Sequence, residues 1–205
     1  PGSGGGMSDL HTDIVALARE AGAPADPTDT SALLTLLRLL FRVGRSDLPL
    51  GRLFEGHVDA GQIVSRYGSE AQRARLDAIL QGGGALGVWN ADLAGDGLRL
   101  DGDRLRGAKS FASGAGILSH ALVSVDVPGG RQLLLLDLAR TPPTIDRSFW
   151  NVVGMQRSET HIVRWDGATI ATDDRIGAPG DYVREPWFSG GALRFAAVQA
   201  GGITG

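Results

Sequence analysis

Apolar positions in the first third of the chain recur at helical spacing. Leu10, Ile14, Leu17, Ala18 and Ala21 share one face of a helix, and the loop GAPADPTD follows. Thr30 or Ser31 is expected to cap a second helix, apolar on nearly every side from Leu33 to Val43, with Gly44 as its C-terminal stop. A helix of that kind needs neighbours all round, which predicts that it is wedged between subdomains. Leu53, Phe54, His57, Val58, Gly61, Val64 and Tyr67 mark a third helix ending at Gly68. Ser69 and Gln72 then form a capping-box pattern ahead of Leu76, Ile79 and Leu80, which predicts a fourth helix.

After the glycines at 82–84 the period changes to two. ALGVWNA, LRL, RLRGAKSFAS, ALVSVDV, RQLLLLDL, FWNVVGM, HIVRWDG and ATIA read as strands, with Asp101-Gly102 and Pro128-Gly129-Gly130 as tight turns between neighbours. Many short strands with turn signals indicate a sandwich or a barrel. From Trp187 the pattern is helical again and runs to Gly205 with no stop signal. The expected class is α+β. Residues 7–83 form an N-terminal all-α domain, 84–186 an antiparallel β-barrel, and 187–205 the start of a truncated C-terminal helical bundle. PGSGGG at 1–6 reads as an expression scar and linker.

Composition narrows the function. A net charge of −3 with no basic block argues against a nucleic-acid partner. The absence of cysteine excludes disulfides and thiolate metal sites. The longest apolar run, 33–43, is too short and too charged to cross a bilayer, so no membrane partner is expected. Met7 opens directly into a polar-rich helical pattern rather than a secretory signal, and the expected compartment is the cytoplasm. His11, His57, His120 and His161 stand far apart and form no close metal-ligand pair, so no metal is expected. Gly82, Gly84 and Gly87 spell G-x-G-x-x-G, but a helix precedes them and a strand follows, the reverse of a dinucleotide site; a hinge is the better reading. Ser113 lies in FASGAG, which is not the G-x-S-x-G elbow of serine hydrolases.

Two glycine-rich clusters remain: GVWNAD at 87–92 and GAKSFASGAG at 107–116. Glycine lets a flat ligand approach the backbone closely. Phe111 suits stacking on an aromatic ring, and Ser113 suits a hydrogen bond to a ring heteroatom. Trp89 and Phe111 would equally well fill a barrel core. Strand alternation places Lys109, Phe111 and Ser113 on one face, and Ser110 and Ala112 on the other.

In order and spacing these segments resemble the acyl-CoA dehydrogenase family over residues 8–205. GRSDLPLGRLFEGHVDAGQIVSRYGSEAQ resembles its N-terminal helical region, and GVWNAD falls where the family has a Val-Thr-Glu-Pro strand. LRGAKSFASGAG resembles Asn-Gly-x-Lys-x-Trp-Ile-Thr-Asn-Gly, with Lys109, Phe111, Ser113 and Gly114 on the Lys, Trp, Thr and Asn positions. VGMQRSETHIVRWDGATIATDDRIGAPGDY and LRFAAVQAGGI resemble the last middle-domain strands and the first C-terminal helix. The resemblance implies FAD held between the middle domain and a C-terminal bundle, and an acyl-CoA or related acyl thioester as substrate, in the manner of fatty-acid metabolism. It implies that Phe111 and Ser113 border the isoalloxazine, and that Trp89 and Asn90 contact the ring or the thioester. The chain departs from the family at Asn90-Ala-Asp-Leu-Ala-Gly-Asp, where no serine is available for the pyrophosphate. Gly190, Gly191, Ala192 and Leu193 offer no carboxylate at the alternative base position, so the catalytic base is expected outside this chain. The chain alone is then expected to be inert. It would act as part of a homo-oligomer in full-length form, or with the missing C-terminal half. Two other readings stand beside dehydrogenation: a flavin monooxygenase or nitroalkane-oxidase-like enzyme, and a non-catalytic binding or assembly module.

Overall fold

The computed structural model describes residues 9–21 and 26–205. PGSGGG and the first half of the GAPADPTD loop, residues 22–25, lie outside them. The helices are α1 (Leu10–Ala21), α2 (Thr30–Ser46), α3 (Leu48–Tyr67) and α4 (Glu70–Gln81). The strands are β1 (Leu86–Trp89), β2 (Arg99–Asp101), β3 (Arg104–Ala112), β4 (His120–Val127), β5 (Gly130–Asp137), β6 (Thr144–Asp146), β7 (His161–Thr169) and β8 (Arg175–Ile176). Helix α5 (Trp187–Thr204) follows them. No described helix is long and apolar enough to cross a membrane.

The helical boundaries follow local chemistry. Ser69 and Gln72 make the reciprocal capping box at the start of α4, and Gly68 ends α3. The cap of α2 is Asp29, one residue before the expected Thr30: its Oδ1 accepts the Ala32 amide at 2.8 Å. Gly44 does not stop α2. The helix continues to Ser46, and Gly44 is instead a contact residue, since a methyl there would collide with the Val198 carbonyl oxygen of α5. Gly201 of α5 makes the reciprocal approach to the Phe41 carbonyl. Nor is α2 buried all round. Leu36, Leu40, Val43 and Gly44 form one buried face, while Arg38, Arg42 and Arg45 point to solvent. The helix packed on all sides is α3, where Leu53 to Val58 are buried without interruption.

The expected antiparallel barrel is not formed. The strand order is β6-β7-β3-β2-β4-β5-β8, with β1 also on β4. Closure requires the two outermost strands to exchange hydrogen bonds. Here those are β6 and β8, three and two residues long, and they do not pair with each other. The sheet is open, and it is mixed. Both β1 and β2 run parallel to β4, end to end along the edge that β5 leaves free. FWNVVGM is a loop rather than a strand, folded back by the Trp150 indole N–H donating to the Met155 carbonyl at 2.7 Å. HIVRWDG and the start of ATIA join into one strand, β7, which passes through Gly167 at φ 87°.

Alternation along β4 and β5 divides the core. Leu122, Leu133 and Leu135 pack with Ala60, Ile63 and Val64 of α3 and Leu76 of α4. Val123, Val125, Leu134 and Leu136 face the other way, into a core with Trp89, Leu105, Val163 and Trp165. Because both faces are covered, β4 and β5 read as continuous apolar runs. Together these contacts leave the end of β1 at the junction of α3, the sheet and α5.

Candidate functional site

The four residues singled out from the sequence separate into three environments. Trp89 is 1% exposed. Its indole N–H donates to the Ser113 carbonyl at 2.9 Å, and its ring lies 6.3 Å from that of Trp165. It is a core residue. Ser113 is buried as well, its Oγ accepting from the Thr160 hydroxyl at 3.1 Å, with Ser158 Oγ 2.8 Å from Thr160 Oγ1. Phe111 is the opposite: 57% exposed, with its edge against the Phe149 ring at 5.1 Å between centroids.

The expected alternation of Lys109, Phe111 and Ser113 on one face therefore fails, and a bulge is the reason. Lys109 pairs with Val163 but Ala112 pairs with His161, so β3 carries one residue more than β7 across this step. Phe111 takes up the extra length at φ 52°, turning its ring outward while Lys109 stays at 0% exposure. Glu159, on the approach to β7, sits at φ 43°. Among the described residues these are the non-glycine positions with positive φ, one near the end of β3 and one just before β7. Such backbone is costly, of order 1–3 kcal/mol each, and tends to cluster where a protein presents a site.

Asn90 belongs to a polar knot at the end of β1. Lys109 Nζ uses its donors on the Asn90 carbonyl at 3.2 Å, Asp92 Oδ1 at 2.7 Å and Ser124 Oγ at 3.0 Å. Arg131 reaches Asp92, Asp126 and Asn90 Oδ1. Burial pulls the Lys109 pKa down, and Asp92 opposes that shift. The knot fixes the course of the chain from Asn90 to Asp92.

On its other side Asn90 borders a cleft of about 410 Å³ between α3, β1 and α5. Glu55 and Asp59 of α3 face it, one helical turn apart, together with Arg52, Tyr182, Phe188 and Phe195. Glu55 is 5% exposed, and its Oε2 accepts from Arg52 at 2.6 Å. Asp59 is ion-paired to Arg194, which is itself buried. Burial pushes the Glu55 carboxyl up to about 7, a rise that Arg52 partly opposes and Asp59 reinforces. Asp59 is also raised by burial, against the pull of Arg194. Tyr182 is pushed up by burial too, with Asp59 and Glu55 adding to it.

Sequence reading passed over Glu55 and Asp59. The available signal was an acid pair at i, i+4 inside LFEGHVDAGQIV, a segment whose other residues are apolar or small except His57 and Gln62. His57, on the same helix, is structural: its Nδ1 accepts the Leu86 amide at 3.1 Å, and burial lowers its pKa to about 4. No group of His, Cys, Asp and Glu among the described residues is arranged to hold a metal. The G-x-G-x-x-G glycines join α4 to β1, so a helix precedes them and a strand follows.

Searches of protein-family models and of curated protein sequences found no match. Solved structures do match. Glutaryl-CoA dehydrogenase from Mycobacterium smegmatis aligns with TM-score 0.78 at 13% identity, covering 95% of this chain and 54% of that one. Butyryl-CoA dehydrogenase from Megasphaera elsdenii aligns with TM-score 0.68 at 15% identity, covering 96% and 66%. TdsC from Paenibacillus sp. A11-2, solved with FMN and indole, aligns with TM-score 0.71 at 18% identity, covering 94% and 60%. The chain thus spans 54% to 66% of the length of these neighbours. At such identities the likeness concerns architecture, and on that ground the chain has the acyl-CoA dehydrogenase fold.

Proposed function

We propose that this chain is the N-terminal and middle part of an FAD-dependent oxidoreductase that dehydrogenates an acyl-CoA or related acyl thioester at its α,β-bond. Its parts in this reading are residues 7–83, 84–186 and the first helix of a further domain from 187. The carrying observation is the cleft where α3, the end of β1 and α5 meet, on a scaffold shared with two acyl-CoA dehydrogenases and an FMN-bound enzyme. An electron-accepting isoalloxazine, when bound, would supply the redox chemistry.

The rim residues fit a flat aromatic ring in part. Phe111 presents an open ring beside Phe149, on backbone already turned outward by the bulge. Ser113, two residues on, is fixed by the Trp89–Ser113 and Thr160–Ser113 bonds. Asn90, held by Ser124 at 2.6 Å and by Arg131, is placed where it borders the acyl cleft. Glu55 and Asp59 are each already held by an arginine, and α5 adds no carboxylate. We therefore assign proton abstraction to a group outside this chain, and expect the chain alone to be inert and to hold FAD weakly. The apolar side chains exposed on α5, Phe188, Leu193, Phe195 and Ile203, would meet that missing part or a second subunit.

The test is anaerobic. Full-length protein reconstituted with FAD should lose its flavin absorbance when an acyl-CoA is added. Reduction only by NAD(P)H or reduced flavin would instead support the monooxygenase reading, which the likeness to TdsC, a dibenzothiophene monooxygenase, favours. Failure to bind FAD or FMN would support a non-catalytic module.

A further inference from the structure

A second cleft lies beside the first turns of α5. It holds about 560 Å³ between the loop at 26–29, the start of α2 and the start of α5, and shares only Ser189 with the cleft beside Glu55. Its wall is largely apolar, with Pro27, Leu33, Pro186, Trp187 and Leu193 bordering it. Trp187 is held in place by Arg66, whose guanidinium covers the ring at 4.3 Å. The polar groups on this wall do not balance. Arg194 borders the cleft and is 5% exposed. Its one hydrogen bond among the described residues runs from Nη2 to Asp59 Oδ1, and Nε is buried with no acceptor at all. Nη1 stands at the cleft wall, 3.6 Å from where a β-carbon on Gly190 would lie. The nearby acids do not serve it. Both oxygens of Asp26 accept from Arg66, at 2.8 and 2.5 Å, and Asp29 Oδ1 caps α2 through the Ala32 amide. A buried guanidinium with donors unused is costly unless an acceptor comes to it.

Charge decides which acceptor that is. Asp59 already neutralises Arg194, and Asp26 and Asp29 stand on the cleft wall, so a carboxylate or phosphate would enter against two negative charges. A neutral carbonyl oxygen accepts from the guanidinium without that repulsion. The volume, the apolar wall and the single convergent donor group are those of a small-molecule pocket. We propose that this cleft binds a neutral small molecule with an apolar body and a carbonyl oxygen, the body against Trp187, Pro186 and Leu33 and the oxygen accepting from Arg194. The site stands apart from the oxidoreductase reading, since none of Trp89, Asn90, Phe111 and Ser113 borders it.

The test uses three probes of one shape: acetophenone, α-methylstyrene, in which a methylene replaces the oxygen, and benzoate, in which a carboxylate replaces the acetyl group. Binding to the 205-residue chain and to the full-length protein is followed by two-dimensional nitrogen–proton NMR, through the Trp187 indole and Arg194 Nε–H signals. Acetophenone is expected to bind at least about fivefold tighter than either of the others, the difference made by one hydrogen bond to a charged donor. It should also move the Arg194 Nε–H signal, which α-methylstyrene leaves in place. Arg194→Lys keeps a charge for Asp59 but not the planar set of donors, and should bring acetophenone and α-methylstyrene to equal affinity. Gly190→Ala sets a methyl in ordinary contact with Nη1 and against no backbone, so it should fold and still cut the preference at least about threefold. It provides the test if Arg194→Lys fails to fold. Equal affinities for acetophenone and α-methylstyrene, tighter binding of benzoate, a preference untouched by both variants, or no binding of any probe would overturn the proposal. So would a preference present in the 205-residue chain and lost in the full-length protein, because the rest of the protein would then fill the cleft.

Discussion

Replacing Glu55 by Gln keeps the shape of the side chain and an acceptor for Arg52, but removes the charge. In the folded chain burial lifts this carboxyl from its ordinary 4.5 to about 7. Between those two values the folded chain therefore binds more protons than the unfolded chain. The contribution of this group to stability is present in full below about pH 4.5 and is lost as the pH rises through about 7. The shift corresponds to about 3 kcal/mol against the buried anion. That figure already includes the opposing pull of Arg52. Glu55→Gln is thus expected to be about 3 kcal/mol more stable than wild type at pH 8 and within about 1 kcal/mol of it at pH 5, where the folded wild-type carboxyl is already protonated. Urea denaturation followed by tryptophan fluorescence at the two pH values measures the difference directly. Other titrating groups are common to both proteins and cancel in the comparison. A variant less stable than wild type at pH 8 and equal to it at pH 5 would mean that the anion stabilises the fold, and would refute the reasoning.

Four further outcomes follow from the packing. Gly44→Ala should destabilise by about 3 kcal/mol or more in thermal melts, because its methyl meets the Val198 backbone rather than a side chain that can move. Lys109→Met should cost about 3 kcal/mol, since it removes the buried cation that bonds the Asn90 carbonyl, Ser124 and Asp92 together and leaves Arg131 as the ion-pair partner of Asp92. His57, lowered to about 4, contributes stability that is full above pH 6.5 and lost as the pH falls through 4; His57→Asn, which can still accept the Leu86 amide, should flatten that acid limb in denaturation measured from pH 7 to 4. Phe111→Gly should leave stability unchanged or raise it by about 1 kcal/mol by relieving the positive φ, while lowering FAD affinity in the full-length protein; unchanged flavin titrations would remove Phe111 from the cofactor rim.

What could be read from the sequence was whatever local chemistry decides. The Ser69–Gln72 box, the Gly68 stop and the change of period after Gly82–Gly84 appear in the structure where the residues put them, because capping and alternation depend on neighbours within a few positions. The closure of the sheet was not of that kind. Strands β6 and β8 are too short to show a period, and whether they pair is set by distant segments, so the barrel expected from strand count opened into a mixed sheet. The face of Phe111 was missed for a related reason. A single extra residue inverts every assignment beyond it, and the bulge becomes visible only once β7 is laid against β3.

The more consequential misreading concerned which helix lies inside. Leucine density pointed to α2, yet three arginines on one side fix that side in water. Helix α3 is enclosed with the help of a small residue: Gly51 meets Gly44 and Val198, where a methyl would collide with the Gly44 backbone. A helix admitted to the interior by glycine carries whatever else its sequence holds into the same place. In α3 that includes Glu55, His57 and Asp59, a set that a leucine-rich helix would not deliver. His57 is absorbed by the Leu86 amide, Asp59 by Arg194 and Glu55 by Arg52. The paired acids of the buried helix therefore stand at the cleft, at the junction where the scaffold brings three elements together. Local propensity and global packing disagree most along α3, and an element that breaks the simpler rule of an apolar interior is where a protein with this fold has reason to keep its specificity.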